Sequence, residues 1–185
     1  SVPIGESIVK IPMKDCVPAD NDMDYRFAYQ LQISVLANDD SYKNSGDILF
    51  DAFGFYDSEL VINDKPLTMP ENTFVWWNFD NGDTLEEIPD EWTARWAGEE
   101  GKGIIVSLEK DSANVYGAKG NSLKIDYVRA LGEYTAPNIW LEKRTATMGD
   151  GIVFWIKSEQ KTNIRILCLD ANVDAIEMLV PVTIG

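Results

Sequence analysis

The chain contains no histidine, and that absence removes the commonest general base and the commonest metal ligand of proteins. Ser-His-Asp and Cys-His nucleophilic sites and most zinc centres go with it, so any catalysis would have to run on carboxylates. Cysteine is scarce as well. Cys16 in a loop-like stretch and Cys168 in an apolar run are too few for a disulfide scaffold. No segment approaches the ~18 consecutive apolar residues of a membrane span. Positive charge is thin: 16 Lys and Arg against 31 Asp and Glu give a net charge of −15, with no basic cluster. Nucleic acid and anionic membrane surfaces would be repelled, and acidic polysaccharides are disfavoured for the same reason. The expected partner is uncharged. The N-terminus, Ser1-Val2-Pro3-Ile4-Gly5, has neither the basic start nor the apolar core of a signal peptide, so a leader is expected to have been removed or to belong to a longer parent chain.

What is present is a globular composition, 45% hydrophobic and 11% aromatic over 185 residues, enough for one domain with a full core. Short segments rich in Val, Ile, Phe, Tyr and Trp recur between turn clusters, the pattern of an all-β, antiparallel β-sandwich rather than of alternating strands and helices. Strands are expected at Ile8–Ile11, Ala28–Leu36, Ile48–Tyr56, Phe74–Asn78, Gly103–Leu108, Ser122–Tyr127, Ile139–Lys143, Gly151–Lys157, Asn163–Asp170 and Ala175–Val182. Turns are expected at Asn38-Asp39-Asp40, Asn81-Gly82-Asp83, 117–121 and 148–151. Between Asp83 and Trp96 the helical pattern is weak and Pro89 interrupts it, so an irregular loop is expected. Residues 61–72, with Pro66 and Pro70, read as a connector between strand-rich parts at 1–60 and 73–185. Alternation places Phe53 and Phe55 on one face as core, with Trp76 and Trp77 also in apolar runs; Trp155, between Phe154 and Ile156, is kept as a minor candidate for the opposite face.

The order of motifs carries a resemblance. The second part opens Trp76-Trp77-Asn78-Phe79-Asp80, passes Gly120-Asn121-Ser122-Leu123-Lys124-Ile125-Asp126-Tyr127 and reaches Gly151-Ile152-Val153-Phe154-Trp155-Ile156-Lys157-Ser158. This resembles the opening half of the calcium-binding β-sandwich carbohydrate-binding modules, especially the family-eleven type attached to bacterial β-glucanases. The first part, Ile8 to Met13, Leu31 to Val35 and Asp47 to Tyr56, is similar to the closing half of the same modules. The halves therefore stand in permuted order, as in a circular permutant or a slice of a tandem array. The ending Val180-Pro181-Val182-Thr183-Ile184-Gly185 echoes Val2-Pro3-Ile4-Gly5-Glu6. The resemblance spans roughly 150 residues and rests on strand patterns. It implies a jelly-roll sandwich, secreted and monomeric, joined to catalytic or scaffold modules in a parent chain. It also implies a non-catalytic role in plant cell-wall degradation: binding a neutral polysaccharide of the β-glucan class, such as mixed-linkage glucan, xyloglucan or glucomannan.

A sugar ring presents C–H groups on its faces and hydroxyls around its rim, so a binder needs flat aromatic surfaces edged by amide, carboxylate or guanidinium groups. Trp92 and Trp96 stand four apart in a polar stretch that no strand alternation buries, and either is a sugar platform or a plug for one end of the sandwich. Tyr134 and Trp140 flank a turn leading into a strand with one polar face. Tyr25 and Arg26 follow an acidic loop, and Tyr42 sits in a turn. The resembling modules carry cleft aromatics near Trp96, near Tyr134 and Trp140, and near Tyr42, and an Arg and a Tyr near Tyr25 and Arg26. Asp39, Asp170 and Asn172 are candidate hydroxyl acceptors. The same resemblance implies a structural Ca²⁺ held by Asp51 and Asp80 with Asn78 and Asn121 as helpers, oxygen donors of the kind calcium takes.

Two other classes remain open. A jelly-roll hydrolase would carry three acids on one strand face, and the nearest stretch, Glu86-Glu87-Ile88-Pro89-Asp90-Glu91, breaks the alternation and contains a proline; carboxylates paired only in space would escape this test. A protein-binding scaffold module would need a contiguous apolar patch, whereas the aromatics here are interleaved with polar groups.

Overall fold

The computed structural model describes residues 2–3, 5–18, 26–36, 45–57, 69, 73–80, 103–128, 138–140, 145–172 and 174–183. Alternation governs it. Where apolar side chains recur at every second position, a pleated strand turns them all to one side, and two such sheets close over each other. The first sheet runs in the order β1 (Val2–Pro3), β14 (Ala175–Thr183), β13 (Thr162–Leu169), β5 (Gln30–Leu36) and β10 (Asn138–Trp140), with β3 (Val17–Pro18) also on β14. The second runs β2 (Gly5–Pro12), β12 (Gly151–Ser158), β6 (Ser45–Tyr56), β9 (Ser122–Val128) and β8 (Gly103–Glu109), with β7 (Phe74–Trp77) also on β6. A two-stranded ladder joins β4 (Phe27–Ala28) to β11 (Ala146–Thr147). Pairing is antiparallel except between β1 and β14, where Val2 lies opposite Val182, so the first and last strands run side by side. No α-helix occurs among the described residues; the only helical turns there are three short 3-10 turns at Met13–Asp15, Ser112–Asn114 and Tyr116–Ala118. The chain is an all-β, antiparallel sandwich.

Strands form at each of the ten expected places, several a few residues longer than their apolar stretches, but the one expected over Ala28–Leu36 is broken at Tyr29 into β4 and β5, which belong to different sheets. The last part of the expected strand Ile139–Lys143, at 141–144, lies outside the described residues, as do nearly all of the connector at 61–72 and the Asp83–Trp96 segment.

The core sits between the sheets. The first sheet contributes Leu31, Ile33 and Val35, Ile164, Ile166 and Cys168, and Ile176, Met178, Val180 and Val182; the second contributes Ile48, Phe50, Phe53, Phe55, Leu123, Ile125, Ile152, Phe154 and Ile156. Phe154 belongs to an aromatic cluster, stacked on Phe53 with centroids 5.3 Å apart and tilted against Phe50 at 5.9 Å, and Phe53 continues it to Trp76. Phe50 and Phe53 are three residues apart, and a regular pleat would send them to opposite faces. A β-bulge resolves this: Val153 lies opposite Gly54 but Trp155 opposite Asp51, and Ala52 takes the left-handed backbone conformation (φ 49°). The extra residue resets the phase of β6 so that both rings face inward. Gly54, next along, is needed for close approach, since a Cβ there would collide with the Phe74 carbonyl of β7.

Trp155 corrects one expectation. It does not form a platform: it is fully buried, with its indole N–H donated to Glu6 Oε1 at 2.8 Å, because the outer side of β12 is covered too. Both cysteines are buried free thiols, and desolvation pushes Cys16 up to about 11 and Cys168 higher still, which keeps them in the unreactive thiol form. Phe154→Ala should cost about 3–5 kcal/mol, read as a lower urea midpoint; a loss below about 1 kcal/mol would show that this ring is not packed in the core as described.

Candidate functional site

The alternation that fills the core also builds the opposite face of the first sheet. In Gln30-Leu31-Gln32-Ile33-Ser34-Val35 the apolar members turn inward, so Gln30, Gln32 and Ser34 line the outer side of β5. Cross-strand register extends that side. Gln32 lies opposite Leu167 and Leu167 opposite Glu177; Ser34 lies opposite Arg165 and Arg165 opposite Leu179; Gln30 lies opposite Leu169, and Asn163 opposite Leu36. At the rim the backbone of β10 places Trp140 opposite Gln32 and Asn138 opposite Ser34.

This outer face is polar, yet shielded. Gln30 is 5% exposed, Gln32 8%, Ser34 2% and Asn163 8%, and Leu167, Leu169 and Ala175 form a small buried cluster beside them, separate from the main core. The face opens toward β14, where Leu179 is exposed and Arg165 forms an ion pair with Glu177, its Nε 2.9 Å from Oε2. That ion pair holds the guanidinium in one place with donors left over, since Arg carries five N–H groups. Amides and hydroxyls withdrawn from bulk water need partners, and leaving one without costs about 1–3 kcal/mol, so a row of them suits a face that water or a polar ligand can complete.

Of the sequence-derived binding residues, Trp92, Trp96, Tyr134, Tyr25, Tyr42 and Asp39 lie outside the described residues. Trp140 joins the rim of the polar face through its backbone. Arg26 is exposed at the β4–β11 end, with its guanidinium carbon 5.8 Å from the Phe27 ring centroid and its carbonyl accepting from Met148 N. Asp170 is buried and serves its own turn: Oδ1 accepts the N–H groups of Asn172 at 2.7 Å and Asp174 at 3.1 Å, closing the connection from β13 to β14, where Asn172 is exposed.

Of the four metal candidates, Asp80, Asn78 and Asn121 are linked by hydrogen bonds at the ends of β7 and β9, and Asp51 lies on β6 within reach of the Asp80 charge. The bulge at Ala52 turns Asp51 out of the core and beneath the 3-10 turns of residues 112–118. There Oδ1 accepts from Ala52 N, Oδ2 accepts from Tyr116 N at 3.2 Å, and the residue is 4% exposed. Asp80 Oδ1 accepts from Asn121 N at 2.6 Å, Asp80 N donates to Asn78 Oδ1, and Asn121 Nδ2 donates to the Phe79 carbonyl. Gly120 keeps Asp80 in this place: its φ is 86°, and a Cβ on it would collide with the Asp80 carboxylate. Lys157 Nζ is spent on Ala113 O and Asn114 Oδ1, anchoring the 3-10 segment. Burial, aided by the charge of Asp80, pushes the Asp51 carboxyl up to about 7 despite its two backbone hydrogen bonds. Among the described residues no three acidic side chains converge, so a cation here would draw on amide and backbone oxygens as well.

Sequence reasoning missed Gln30, Gln32, Ser34, Asn163, Arg165 and Glu177. The signal was available: the polar members of alternating strands β5, β13 and β14 share one face by periodicity alone. Comparison with known proteins finds no matching family model, curated protein or solved structure.

Asp51 sets a pH dependence. Its folded value lies above the ordinary 3.8, so between about pH 4 and pH 7 the unfolded chain releases a proton that the folded protein keeps, and stability falls as pH rises through that window. In chelator-treated protein, the Tm of the parent relative to Asp51→Asn should drop steadily from pH 4 to 7 and level off above; a constant difference would contradict the placement of Asp51.

Proposed function

We propose that the chain is a non-catalytic module that binds a neutral polysaccharide of the β-glucan class along the outer face of the first sheet. The observation that carries this reading is the shielded row Gln30, Gln32, Ser34 and Asn163 beside the Arg165–Glu177 pair. Amides and hydroxyls match sugar hydroxyls as donors and acceptors at once, the ordered guanidinium adds donors, and Leu179 and the aromatics expected at the rim supply apolar surface for C–H faces. The net charge of −15 favours an uncharged polymer over a polyanion. Two or three stacked rings with several hydrogen bonds reach the ~8 kcal/mol of a micromolar complex. Secretion, attachment to catalytic or scaffold modules and a monomeric state accompany this proposal.

A structural Ca²⁺ at Asp51 and Asp80 belongs to it. The donors there are all oxygens, the chemistry calcium prefers, and a buried carboxyl whose charge is opposed by a neighbouring carboxylate is stabilised by a cation between them. Asp51, Asp80, Asn78 and Asn121 would hold the ion and, through Tyr116 and Asn121, tie the 112–121 segment to β6 and to the end of β7. Asp51 lies buried beneath that segment with both its oxygens engaged by backbone N–H groups, which favours a scaffold role over that of a hydrolase acid.

Affinity electrophoresis tests the reading. Mobility should fall in gels of mixed-linkage β-glucan, xyloglucan or glucomannan and stay unchanged in polygalacturonate, with no reducing ends released. Alanine at Trp92, Trp96, Tyr134 or Trp140 should weaken retention about two- to twelve-fold per ring. Unaltered mobility in every neutral gel, or release of sugar, would overturn it. For calcium, Tm should rise with millimolar CaCl₂ and the rise should vanish in Asp51→Asn; an identical response of both proteins would remove the ion from the proposal.

A further inference from the structure

One end of the sandwich carries a groove that the polar face does not use. It has a volume of about 200 Å³ and is lined by Phe55, Asp57, Phe74, Thr147, Met148 and Gly149. Phe55 and Phe74 are cross-strand partners of β6 and β7, so their rings lie on the same side of the second sheet. Phe55 is sealed in the core, but Phe74, on the shorter strand, is 56% exposed. On the opposite wall, Thr147 pairs with Phe27, which places Phe27 beside the groove; it is 44% exposed, with the Arg26 guanidinium carbon 5.8 Å from its ring centroid. The turn at Gly149 presses directly on the end of β6: Asp150 N donates to the Tyr56 carbonyl at 2.8 Å, and a Cβ on Gly149 would stand 2.5 Å from that carbonyl oxygen and 2.9 Å from Asp57 Oδ1. The missing side chain lets the carboxylate of Asp57 sit at the lip.

An exposed phenylalanine ring, Phe74, in the lining of one concavity, edged by a carboxylate and a hydroxyl, offers what a pyranose needs: an apolar plane for its C–H face and an acceptor and a donor for its hydroxyls. The volume is below the ~300–1,000 Å³ of pockets for larger ligands, which suits one ring rather than a run of them. Asp57 at the lip and the overall negative charge disfavour anions.

We propose that this groove is a second carbohydrate subsite, which takes a single neutral pyranose ring against Phe74 with Asp57 and Thr147 on its hydroxyls. The inference rests on the reading of the chain as a polysaccharide binder and adds a contact point whose residues are distinct from those of the first-sheet face. Two subsites on one chain raise the retention of a polymer beyond that of either alone.

An amide NMR titration of the 185-residue protein with cellotetraose, mannotetraose and a xyloglucan heptasaccharide tests it, with Phe74→Ala and Asp57→Ala compared with the parent. Both substituted residues are exposed, and an unchanged Tm verifies that the variants fold. At least one sugar should shift the amides of 55–57, 74 and 147–149 in a saturable way; either substitution should abolish those shifts, leave the shifts at 30–34 and 163–167 in place, and weaken retention in the matching polymer gel several-fold. Shifts at 30–34 and 163–167 with none in the groove would overturn the subsite and keep the first-sheet reading. Groove shifts that survive both substitutions would also overturn it. Groove shifts alone would keep the subsite and displace the first-sheet face as the main site, and no shift with any sugar would overturn both.

Discussion

The constraint on which the rest depends is that the strands at the middle of the first sheet are buried on both sides, while only one side is apolar. A sandwich needs one buried face per sheet. In β5 the second face is buried as well, and it carries glutamines and a serine where a structural strand would carry valines. Apolar residues there would pack at lower cost, since polar groups withdrawn from water must find partners. A face of this composition suits a surface that is completed from outside by a polar molecule rather than one built for stability alone, and the Arg165–Glu177 pair at its open side has the same character.

The second sheet serves a different purpose. Its long central strand β6 pairs with β12 along one edge and, on the other, with β9 and then β7 in succession. One residue out of register at Ala52 allows this strand to keep Phe50, Phe53 and Phe55 all in the core while delivering Asp51 to the other side. The left-handed backbone there opposes an alanine side chain, and Asp51 braces the distortion by accepting from Ala52 N within the bulge and from Tyr116 N in the neighbouring 3-10 turn. The Asp51 bulge thus belongs to the second sheet, and the shielded polar row to the first.

How far this was legible in sequence follows from periodicity. Strands of seven to nine residues, such as β5, β12 and β13, repeat the two-residue period often enough to declare themselves, and the sandwich follows from their number. The two-residue ladders β1, β3, β4 and β11 have no period to read and are created by tertiary contact. The bulge was invisible for a related reason: Asp51-Ala52-Phe53 reads as ordinary strand, and only the partner β12 reveals the extra residue. Trp155 looked like an outward-facing ring, which it is, but its outer face is covered through the indole bond to Glu6, a residue 149 positions away in the chain. Binding residues sought among aromatics in loops depended on loop placement, which no local pattern supplies. The polar row on β5 is written in the same alternation that identifies the strand, but polar residues on a strand's second face read as ordinary solvent-facing positions, and only the fold shows Gln30, Gln32 and Ser34 shielded. Asp51, Asp80, Asn78 and Asn121 were singled out by motif resemblance; the hydrogen bonds that link Asp80 to Asn78 and Asn121 join segments some forty residues apart, which no local pattern in the sequence displays.

The most direct measurement is a crystal structure of the protein with a mixed-linkage β-glucan oligosaccharide. The account predicts sugar density across β5 and β13, with hydroxyls within hydrogen-bond distance of Gln32, Ser34 or Arg165. Side chains of the protein's own loops occupying those amides in the presence of saturating sugar, with no density on that face, would contradict it.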